Sequence, residues 1–334
     1  MKEYRIDTFG IDALSLVDVD PPALKAGEVL VRLRATSINY RDMMMVEGGY
    51  NPRMTLPRVP FSDGAGEVIE VGEGVTKWRP GDRVCPTFFQ RWIDGPIDYA
   101  KSKTKLGGDL DGCLREFGIF HEDGLVRIPE HLSFEEAATL PCAAVTVWNA
   151  LMISGGLMSG ETVLLQGTGG VSIFALQFAK LVGARVLITS SSDEKLERAR
   201  SLGADETLNY SKREDWDTWA LGLTNKQGVD HVVEVGGAGT LQRSMRAARM
   251  GGHIAVIGVV AGKGEYSHTP IFMKALRLIG VFVGSREMFE EMNRAIEESR
   301  MRPVIDRTFA FEEARDALKF MKEDSHFGKI VITI

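Results

Sequence analysis

Apolar and polar residues alternate in short runs along the first third of the chain. The run EVLVRLRATSI (28–38) places Val29, Val31 and Leu33 on one face of a strand. The run GAGEVIEVGEGV (64–75) predicts a second short strand that ends in glycine turns. Short, closely spaced strands with turn signals between them predict a small β-barrel or β-sandwich.

From residue 161 onward, apolar runs of strand length alternate with stretches of helical period. The stretch 192–203 is a helix with Ser192 as N-cap and Gly203 as stop signal. Strands that alternate with helices predict a parallel, doubly wound sheet. The predicted strands are 161–166, 184–190, 229–237, 252–258, 276–284 and the final GKIVITI, and the predicted helices end near Val182 or cover 192–203, about 239–250 and 311–322.

Between these regions, residues 88–118 form a long, turn-rich segment that begins with Phe88, Phe89 and Trp92. Long loops without regular structure are often lids or binding loops, so this segment is a candidate for shaping a substrate pocket. A solvated excursion fits the pattern equally well, and the sequence leaves both open.

Composition narrows the class of protein. The chain has 334 residues, of which 44% are hydrophobic and 26% charged, enough for one large or two medium globular domains. A net charge of -6 without a Lys/Arg tract argues against nucleic acid or a membrane surface as partner. The N-terminus resembles no signal peptide, and we find no uninterrupted apolar run of membrane-spanning length. Three widely separated cysteines fit a reducing compartment, so we expect a soluble cytoplasmic protein.

The stretch GTGGVS (167–172) lies between a predicted strand and a predicted helix. Gly167, Thr168 and Gly169 open the turn, and Ser172 stands where the GxGxxG pattern has its third glycine. Glycines there let backbone N–H groups approach a pyrophosphate at a helix N-terminus. The turn therefore predicts a dinucleotide site, with a glycine turn of some other α/β protein as the alternative.

The end of the second strand of this unit indicates which dinucleotide binds. NAD sites usually carry Asp or Glu there, which would repel a 2'-phosphate. This chain has Ser190, Ser191 and Ser192, with Lys195 one helical turn later. Hydroxyls and an ammonium group favour a phosphate, so we predict NADPH. The alternative is that the serines only cap the helix and Lys195 is a solvated helix residue.

Together these features resemble the medium-chain dehydrogenase/reductase superfamily. The resemblance implies an α/β protein with a GroES-like, β-rich catalytic domain at 1–124, completed by 285–334. It also implies a Rossmann NADP-binding domain at 125–284, with the nicotinamide meeting its substrate in a cleft between the two. The motifs follow the family's order along nearly the whole chain: SINYRD (37–42), PGDRV (80–84), LPCAAVTVWNAL (140–151), GTGGVS (167–172), SLGADETLNY (201–210) and FGKIVI (327–332).

Within the superfamily the chain resembles the zinc-free quinone oxidoreductases and enone reductases. Zinc alcohol dehydrogenases hold their metal with a Cys, a His and a second Cys or Asp. The corresponding positions here carry Asn39, the pair Ser62–Asp63, and Cys142. A single thiol does not make a zinc site, so we expect none, and we expect Cys142 to be a small apolar residue of the interior.

The resemblance also implies roles for individual residues. Tyr50 matches a tyrosine near the nicotinamide, and Asn39 matches an asparagine that contacts the nicotinamide ribose, so these two are the catalytic candidates. A surface-loop aromatic and a turn-stabilising amide are the respective alternatives. The cofactor positions implied by the same matching are Asn39, Thr146, Gly169, Gly170, Val171, Tyr210, Gly258, Val259, Val283, Gly284 and Lys329; of these, Gly258 and Gly284 equally fit simple strand-end turns.

Without a metal, hydride addition to a quinone or an α,β-unsaturated carbonyl is the easier reaction, because a hydrogen-bond donor suffices for the developing oxyanion. Two alternatives stay open: an NAD(P)-dependent alcohol dehydrogenase acting on alcohols and aldehydes, and an NADPH-binding sensor with little turnover. The six histidines lack ligand spacing and receive no catalytic role. We further expect a small-molecule substrate and a homodimer, with the strand at 276–284 as the pairing edge.

Overall fold

The computed structural model describes residues 1–21, 23–258, 260, 262 and 264–334. The chain divides into two compact units. The first unit consists of Met1–Val145 and Gly284–Ile334, and the second unit of Thr146–Val283.

Strands occur in both units and largely alternate with helices in the second unit. Within the described residues they are β1 (Lys2–Ile6), β2 (Leu14–Asp18), β3 (Glu28–Ile38), β4 (Asp63–Val71), β5 (Arg83–Pro86), β6 (Phe117–His121), β7 (Leu125–Arg127), β8 (Thr162–Gln166), β9 (Arg185–Ser190), β10 (Glu206–Asn209), β11 (Val229–Glu234), β12 (Ala248–Val256), β13 (Arg277–Gly280), β14 (Ile305–Ala310) and β15 (Lys329–Thr333).

The helices are longer on average than the strands. They are α1 (Tyr40–Val46), α2 (Tyr99–Ser102), α3 (Phe134–Ala137), α4 (Val145–Trp148), α5 (Gly170–Leu181), α6 (Asp193–Ser201), α7 (Trp216–Leu223), α8 (Leu241–Ala247), α9 (Thr269–Met273), α10 (Arg286–Ser299) and α11 (Ala314–Lys322). Two wider helical turns, Leu140–Ala144 and Asn149–Ile153, flank α4 and make 134–153 one helical stretch.

The first unit is organised around β3. Its alternation was predicted correctly, because Val29, Val31 and Leu33 are all buried. The sheet runs in the order β14-β15-β3-β4-β5-β7, and β6 pairs with β3 as well. Since β7 pairs with β5, residues 125–145 belong to the first unit. The predicted boundary at 124/125 therefore differs from the structure, where the first unit extends to Val145.

The second unit contains the predicted doubly wound sheet. Its six strands have the order β10-β9-β8-β11-β12-β13, and every neighbouring pair is parallel. The carboxyl ends of these strands consequently meet at one edge of the sheet, which is where such sheets bind ligands. The helix predicted around 239–250 ends earlier, at Ala247, because Ala248 pairs with Val229 and draws the chain into β12.

The strand predicted at 276–284 is also shorter than expected. It covers Arg277–Gly280, and Val283 has a left-handed φ of 58°, which is incompatible with continued extension. The sequence patterns missed β10 and β14, whose residues are mostly half-buried or exposed and so lack a strong apolar alternation.

One long helical stretch is apolar on average. The helical stretch Phe134–Ile153 has 20 residues and a mean hydropathy of 1.3, long and apolar enough to cross a membrane by length and composition. Two glutamates near its start interrupt it, so it is not an uninterrupted apolar run. In the structure 72% of this stretch is buried inside the protein, as in a core helix of a globular protein.

Candidate active site

The glycine turn of the second unit connects β8 to α5. Gly167 has a φ of 71°, a left-handed conformation that favours glycine. Gly169 is the N-cap of α5 and offers no side-chain cap, so the first backbone N–H groups of the helix, at Gly170 and Val171, lack intrahelical acceptors. Ser172 is buried and donates from Oγ to the carbonyl of Gln166 over 2.6 Å, which ties the helix start to the strand end. This arrangement suits a phosphate group.

The serines that follow β9 lie beside this turn. Ser190 is buried, and its Oγ lies 3.4 Å from Thr168 Oγ1. Ser192 caps α6 as predicted, since its Oγ accepts from the Lys195 N–H over 3.3 Å. Ser191 is exposed. The structure therefore brings together the glycine turn and the serine cluster that the sequence placed 20 residues apart.

Tyr210 and Asp193 complete the surroundings of the serines. The Tyr210 N–H donates to the Ser190 carbonyl over 3.0 Å, and the tyrosine side chain is 38% exposed. The carboxylate of Asp193 accepts hydrogen bonds from Lys212 and from Asn209, and these bonds lower its pKa. The carboxylate nearest in sequence to Ser190 is thus already held by donors of the protein.

A buried carboxylate organises the loop after β11, and the sequence analysis missed it. Glu234 is fully buried and accepts hydrogen bonds from the side chains of Gln166, Ser244 and Thr240 and from the N–H groups of Gly236 and Gly237. Of these donors, Gln166 is the one distant in sequence, 68 residues away, so the sequence pattern did not predict the network.

The remaining cofactor candidates of the second unit have structural roles of their own. A Cβ on Gly258 would lie 2.1 Å from the Val235 carbonyl oxygen, so close backbone packing already requires glycine there. The Val283 carbonyl accepts from Asn149 Nδ2 over 2.7 Å. Thr146 is buried on α4. Val259 lies outside the described residues, and Gly284 belongs to the first unit.

The first unit contains a buried polar cluster at the end of β3. Asn39 is the N-cap of α1, and its N–H donates to the carboxylate of Asp42 over 2.9 Å. Asn39 Nδ2 lies 3.5 Å from Ser62 Oγ, which in turn donates to Asp63 over 2.9 Å. Ser62 and Asp63 are fully buried. The cluster brings together the residues matched to the first two zinc-ligand positions.

Lys329 supplies the positive charge of this cluster. Its Nζ donates to Asn39 Oδ1 over 2.7 Å and to the Ile38 carbonyl over 2.9 Å, and it lies 3.7 Å from Asp63 Oδ2. The lysine is 3% exposed. Because an ammonium group can only donate, it fixes the amide oxygen of Asn39 toward itself and leaves Nδ2 to donate to Asp42 and Ser62. Lys329 was expected to contact the cofactor, and the structure engages it inside the first unit.

Cys142 lies near the same charges, on the turn Leu140–Ala144. Desolvation by the surrounding protein, followed by the negative charge of Asp63, raises the pKa of its thiol well above the ordinary value. A neutral thiol, an amide and a hydroxyl are not the ligand set that zinc takes in its catalytic sites. Within the described residues no group of three or more His, Cys, Asp or Glu side chains could hold a metal ion.

Tyr50 follows α1 and is 37% exposed. Its N–H donates to the Met44 carbonyl over 3.1 Å, which folds the segment back onto α1. The guanidinium carbon of Arg41 lies 5.5 Å from the centre of the tyrosine ring. Burial raises the pKa of the Tyr50 hydroxyl, and the charge of Arg41 opposes that rise. Tyr50 is therefore a neutral hydrogen-bond donor near neutral pH.

The start of the long segment 88–118 is part of the interior. Phe88, Phe89 and Trp92 are at most 4% exposed, and their rings contact one another in sequence. Residues 94–100 are exposed. Any lid movement would therefore involve the exposed residues rather than the aromatic start, which is anchored.

Two histidines that are far apart in sequence meet in the second unit. His231 and His253 are buried on neighbouring strands with their Nδ1 atoms 3.3 Å apart, and His231 Nε2 lies 2.9 Å from Glu161 Oε2. Burial, followed by the charge of His231, lowers the pKa of His253 to about 4. The pair occupies strands β11 and β12 ahead of their carboxyl ends, so it is not part of the dinucleotide edge.

Family comparisons agree with this architecture. A family model described as alcohol dehydrogenase GroES-like domain matches residues 25–130, and one described as zinc-binding dehydrogenase matches residues 170–298. A zinc-type alcohol dehydrogenase-like protein of Schizosaccharomyces pombe is 44% identical, covering 97% of this chain and 96% of the relative. The acryloyl-coenzyme A reductase of Metallosphaera sedula is 32% identical, covering 95% of each chain.

Solved structures give the same result. An NAD-dependent alcohol dehydrogenase matches with a TM-score of 0.90 and 32% identity, covering 100% of each chain. The 2-octenoyl-CoA carboxylase reductase CinF, solved with NADP and 2-octenoyl-CoA, matches with a TM-score of 0.85 and 26% identity, covering 97% of this chain and 82% of CinF.

Replacing Lys329 with methionine leaves Asp63 buried without its positive partner. Because an uncompensated buried charge is costly, we expect K329M to destabilise the protein by about 3 kcal/mol, measured from the urea concentration at the midpoint of unfolding. The matched control is K319M, which removes the exposed pair of Lys319 with Asp12 and should shift the midpoint much less, because solvent screens exposed ion pairs. Adding D63N to K329M should recover part of the loss. Equal midpoints for K329M and K319M would contradict this account.

Proposed function

Because the chain belongs to the medium-chain dehydrogenase/reductase superfamily, we propose that it is a zinc-independent reductase that transfers hydride from NADPH to a quinone or an α,β-unsaturated carbonyl compound. Its class, NAD(P)-dependent oxidoreductase, follows from the family. The observation that carries the finer proposal is the buried cluster of Asn39, Ser62, Asp63 and Lys329, where the zinc relatives have metal ligands.

The cluster argues against a metal by its chemistry. The positions matched to the first two ligands hold an amide and a hydroxyl, already joined to the ammonium group of Lys329 or to Asp63. A cation brought close to Lys329 would meet electrostatic repulsion. The residues present therefore do not fit zinc, and we derive no catalytic step through it.

Reduction of an activated alkene needs less from the protein than alcohol oxidation. The bound nicotinamide would supply the hydride. As hydride adds to the β-carbon, the electrons of the C=C bond move toward the carbonyl and negative charge develops on its oxygen. Tyr50 is a neutral donor that could stabilise that oxygen by a hydrogen bond. A proton from water then completes the α-carbon, so one hydride and one proton are added.

The second unit offers the groups that would hold NADPH. The N-terminus of α5 suits the pyrophosphate, while Ser191, Ser192 and Lys195 suit the 2'-phosphate of the adenosine ribose. The NADP complex of CinF supports this choice, whereas the name of the NAD-dependent alcohol dehydrogenase favours the other dinucleotide. Position 190, at the end of β9, carries a serine instead of the carboxylate typical of NAD sites, and for this reason we propose NADPH.

We also propose that two copies of the chain associate through β13. This strand is an edge of the six-stranded sheet in the described part of the chain. The preceding helix α9 presents Phe272 and Met273, which are 64% and 63% exposed. An open strand edge beside exposed apolar residues is a suitable surface for pairing with a second copy.

The first experiment is NADPH oxidation by chelator-treated protein with quinones, enones and aldehydes as acceptors, and with NADH in parallel. We expect turnover of quinones or enones that chelator leaves unchanged, because no catalytic group of the proposal is a metal. Activity on aldehydes that disappears with chelator would favour the alcohol dehydrogenase alternative. Tight NADPH binding without turnover of any acceptor would favour the sensor alternative.

The cofactor preference can be tested at Lys195. Replacing it with alanine keeps the backbone N–H that Ser192 caps but removes the ammonium group. We expect K195A to weaken NADPH binding about tenfold, since a charge-assisted hydrogen bond is lost, and to leave NADH binding unchanged, both measured by titration calorimetry. The control is K180A, because Lys180 lies at the opposite end of α5 and pairs with Asp205. Equal losses for the two dinucleotides would argue against the 2'-phosphate site.

The association of two copies can be tested at Phe272. Replacing this phenylalanine with glutamate should convert the protein from two copies to one in sedimentation velocity, because a buried unpaired carboxylate opposes pairing. The matched control Y99E changes an aromatic residue of the first unit that is 78% exposed, and it should leave the mass unchanged. A wild-type protein of one copy, or an F272E variant with the wild-type mass, would refute the proposed surface.

A further inference from the structure

Arg41 lies in the first turn of α1 between two aromatic rings. Its guanidinium carbon is 4.9 Å from the ring centre of Phe88 and 5.5 Å from that of Tyr50. A guanidinium group attracts the faces of aromatic rings and holds them in a defined orientation. The arginine side chain is 10% exposed, so these contacts are largely protected from water.

Hydrogen bonds also hold the guanidinium group of Arg41 in place. Nη1 donates to Asp42 Oδ1 over 3.0 Å and to the Leu106 carbonyl over 3.3 Å. Asp42 also accepts from the N–H of Asn39. A continuous set of contacts thus connects Asn39, Asp42, Arg41 and Tyr50, and it joins both catalytic candidates to the segment 88–118.

The other edge of the guanidinium remains available. Nε and Nη2 are buried and have no hydrogen-bond partner among the residues that the structure describes. Buried donors of a cation without partners are costly unless they serve some group. Of the two rings beside Arg41, that of Tyr50 is exposed, at 37%, whereas Phe88 is 1% exposed. A cation at this place favours negative charge on the tyrosine oxygen or on an oxygen bonded to it.

We propose that Arg41 is a positioning residue for Tyr50: it holds the tyrosine against the anchored aromatic start of the segment 88–118 and strengthens its hydroxyl as a hydrogen-bond donor to the substrate oxygen. This inference rests on the proposed function. It gives the long segment a fixed role, because Phe88 and the Leu106 carbonyl hold the arginine that orients the catalytic hydroxyl.

The test combines a spectroscopic and a kinetic readout. Fluorotyrosine is placed at position 50, and its ionisation is followed by fluorine NMR. R41Q removes the charge and should raise the ionisation midpoint, whereas R41K retains the charge and should stay near the wild type. The matched control R58Q removes an arginine that pairs with Asp111 of the same segment, and it should leave the midpoint unchanged.

In enone reduction, R41Q should lower kcat by up to about 100-fold, the scale expected when a catalytic group is misplaced, with no change in KM for NADPH. Added to Y50F it should cause no further loss, because both act through one hydroxyl. An unchanged midpoint in R41Q, or an equal loss of kcat in the Y50F background, would overturn the proposal.

A wild-type protein that reduces no acceptor would refute the proposed function instead, while the NMR midpoint would still test the effect of Arg41 on Tyr50. Should R41Q not fold, F88L replaces it: a raised midpoint supports the proposal and an unchanged one overturns it.

Discussion

The buried ammonium group of Lys329 is the constraint on which the first unit depends. A charge at 3% exposure needs partners, and it finds them in Asn39, the Ile38 carbonyl and Asp63. The register of β15 against β3, with Ile330 opposite Ile38, brings the lysine to that position. The last strand of the chain therefore completes a site whose other members lie in the first 63 residues, and it fixes the amide of Asn39 in one orientation.

The second unit also contains a buried charged residue, of the opposite sign. Glu234 is fully buried, and five donors satisfy it, from the end of β8, the loop after β11 and the start of α8. Because Gln166 precedes the glycine turn, this network also fixes the turn that faces the dinucleotide edge. In both units a buried charge is satisfied by its hydrogen-bond partners. These bonds fix the conformation of the neighbouring backbone, which the local sequence alone would not determine.

The sequence allowed prediction of features that depend on local pattern. The face of β3 that contains Val29, the cap at Ser192 and the glycine turn before α5 all follow from residues within a few positions of one another. The contacts of Arg41 with Phe88 and of His231 with His253 join residues that no spacing rule relates, so they required the structure. The division of the chain into units after Val145 likewise depends on contacts distant in sequence, such as the pairing of β7 with β5.

An ammonium group and a metal ion differ in what they can offer a substrate. A metal accepts a lone pair and can bind an alkoxide directly, whereas Lys329 can only donate hydrogen bonds, and three acceptors of the protein already surround it. Negative charge on a substrate must then be met elsewhere in the first unit, and the hydroxyl of Tyr50 beside the Arg41 cation is the arrangement that can do so. A hydrogen bond from a tyrosine matches an oxygen that gains charge by delocalisation better than a localised alkoxide, and for this reason we propose activated alkenes and quinones rather than alcohols as substrates.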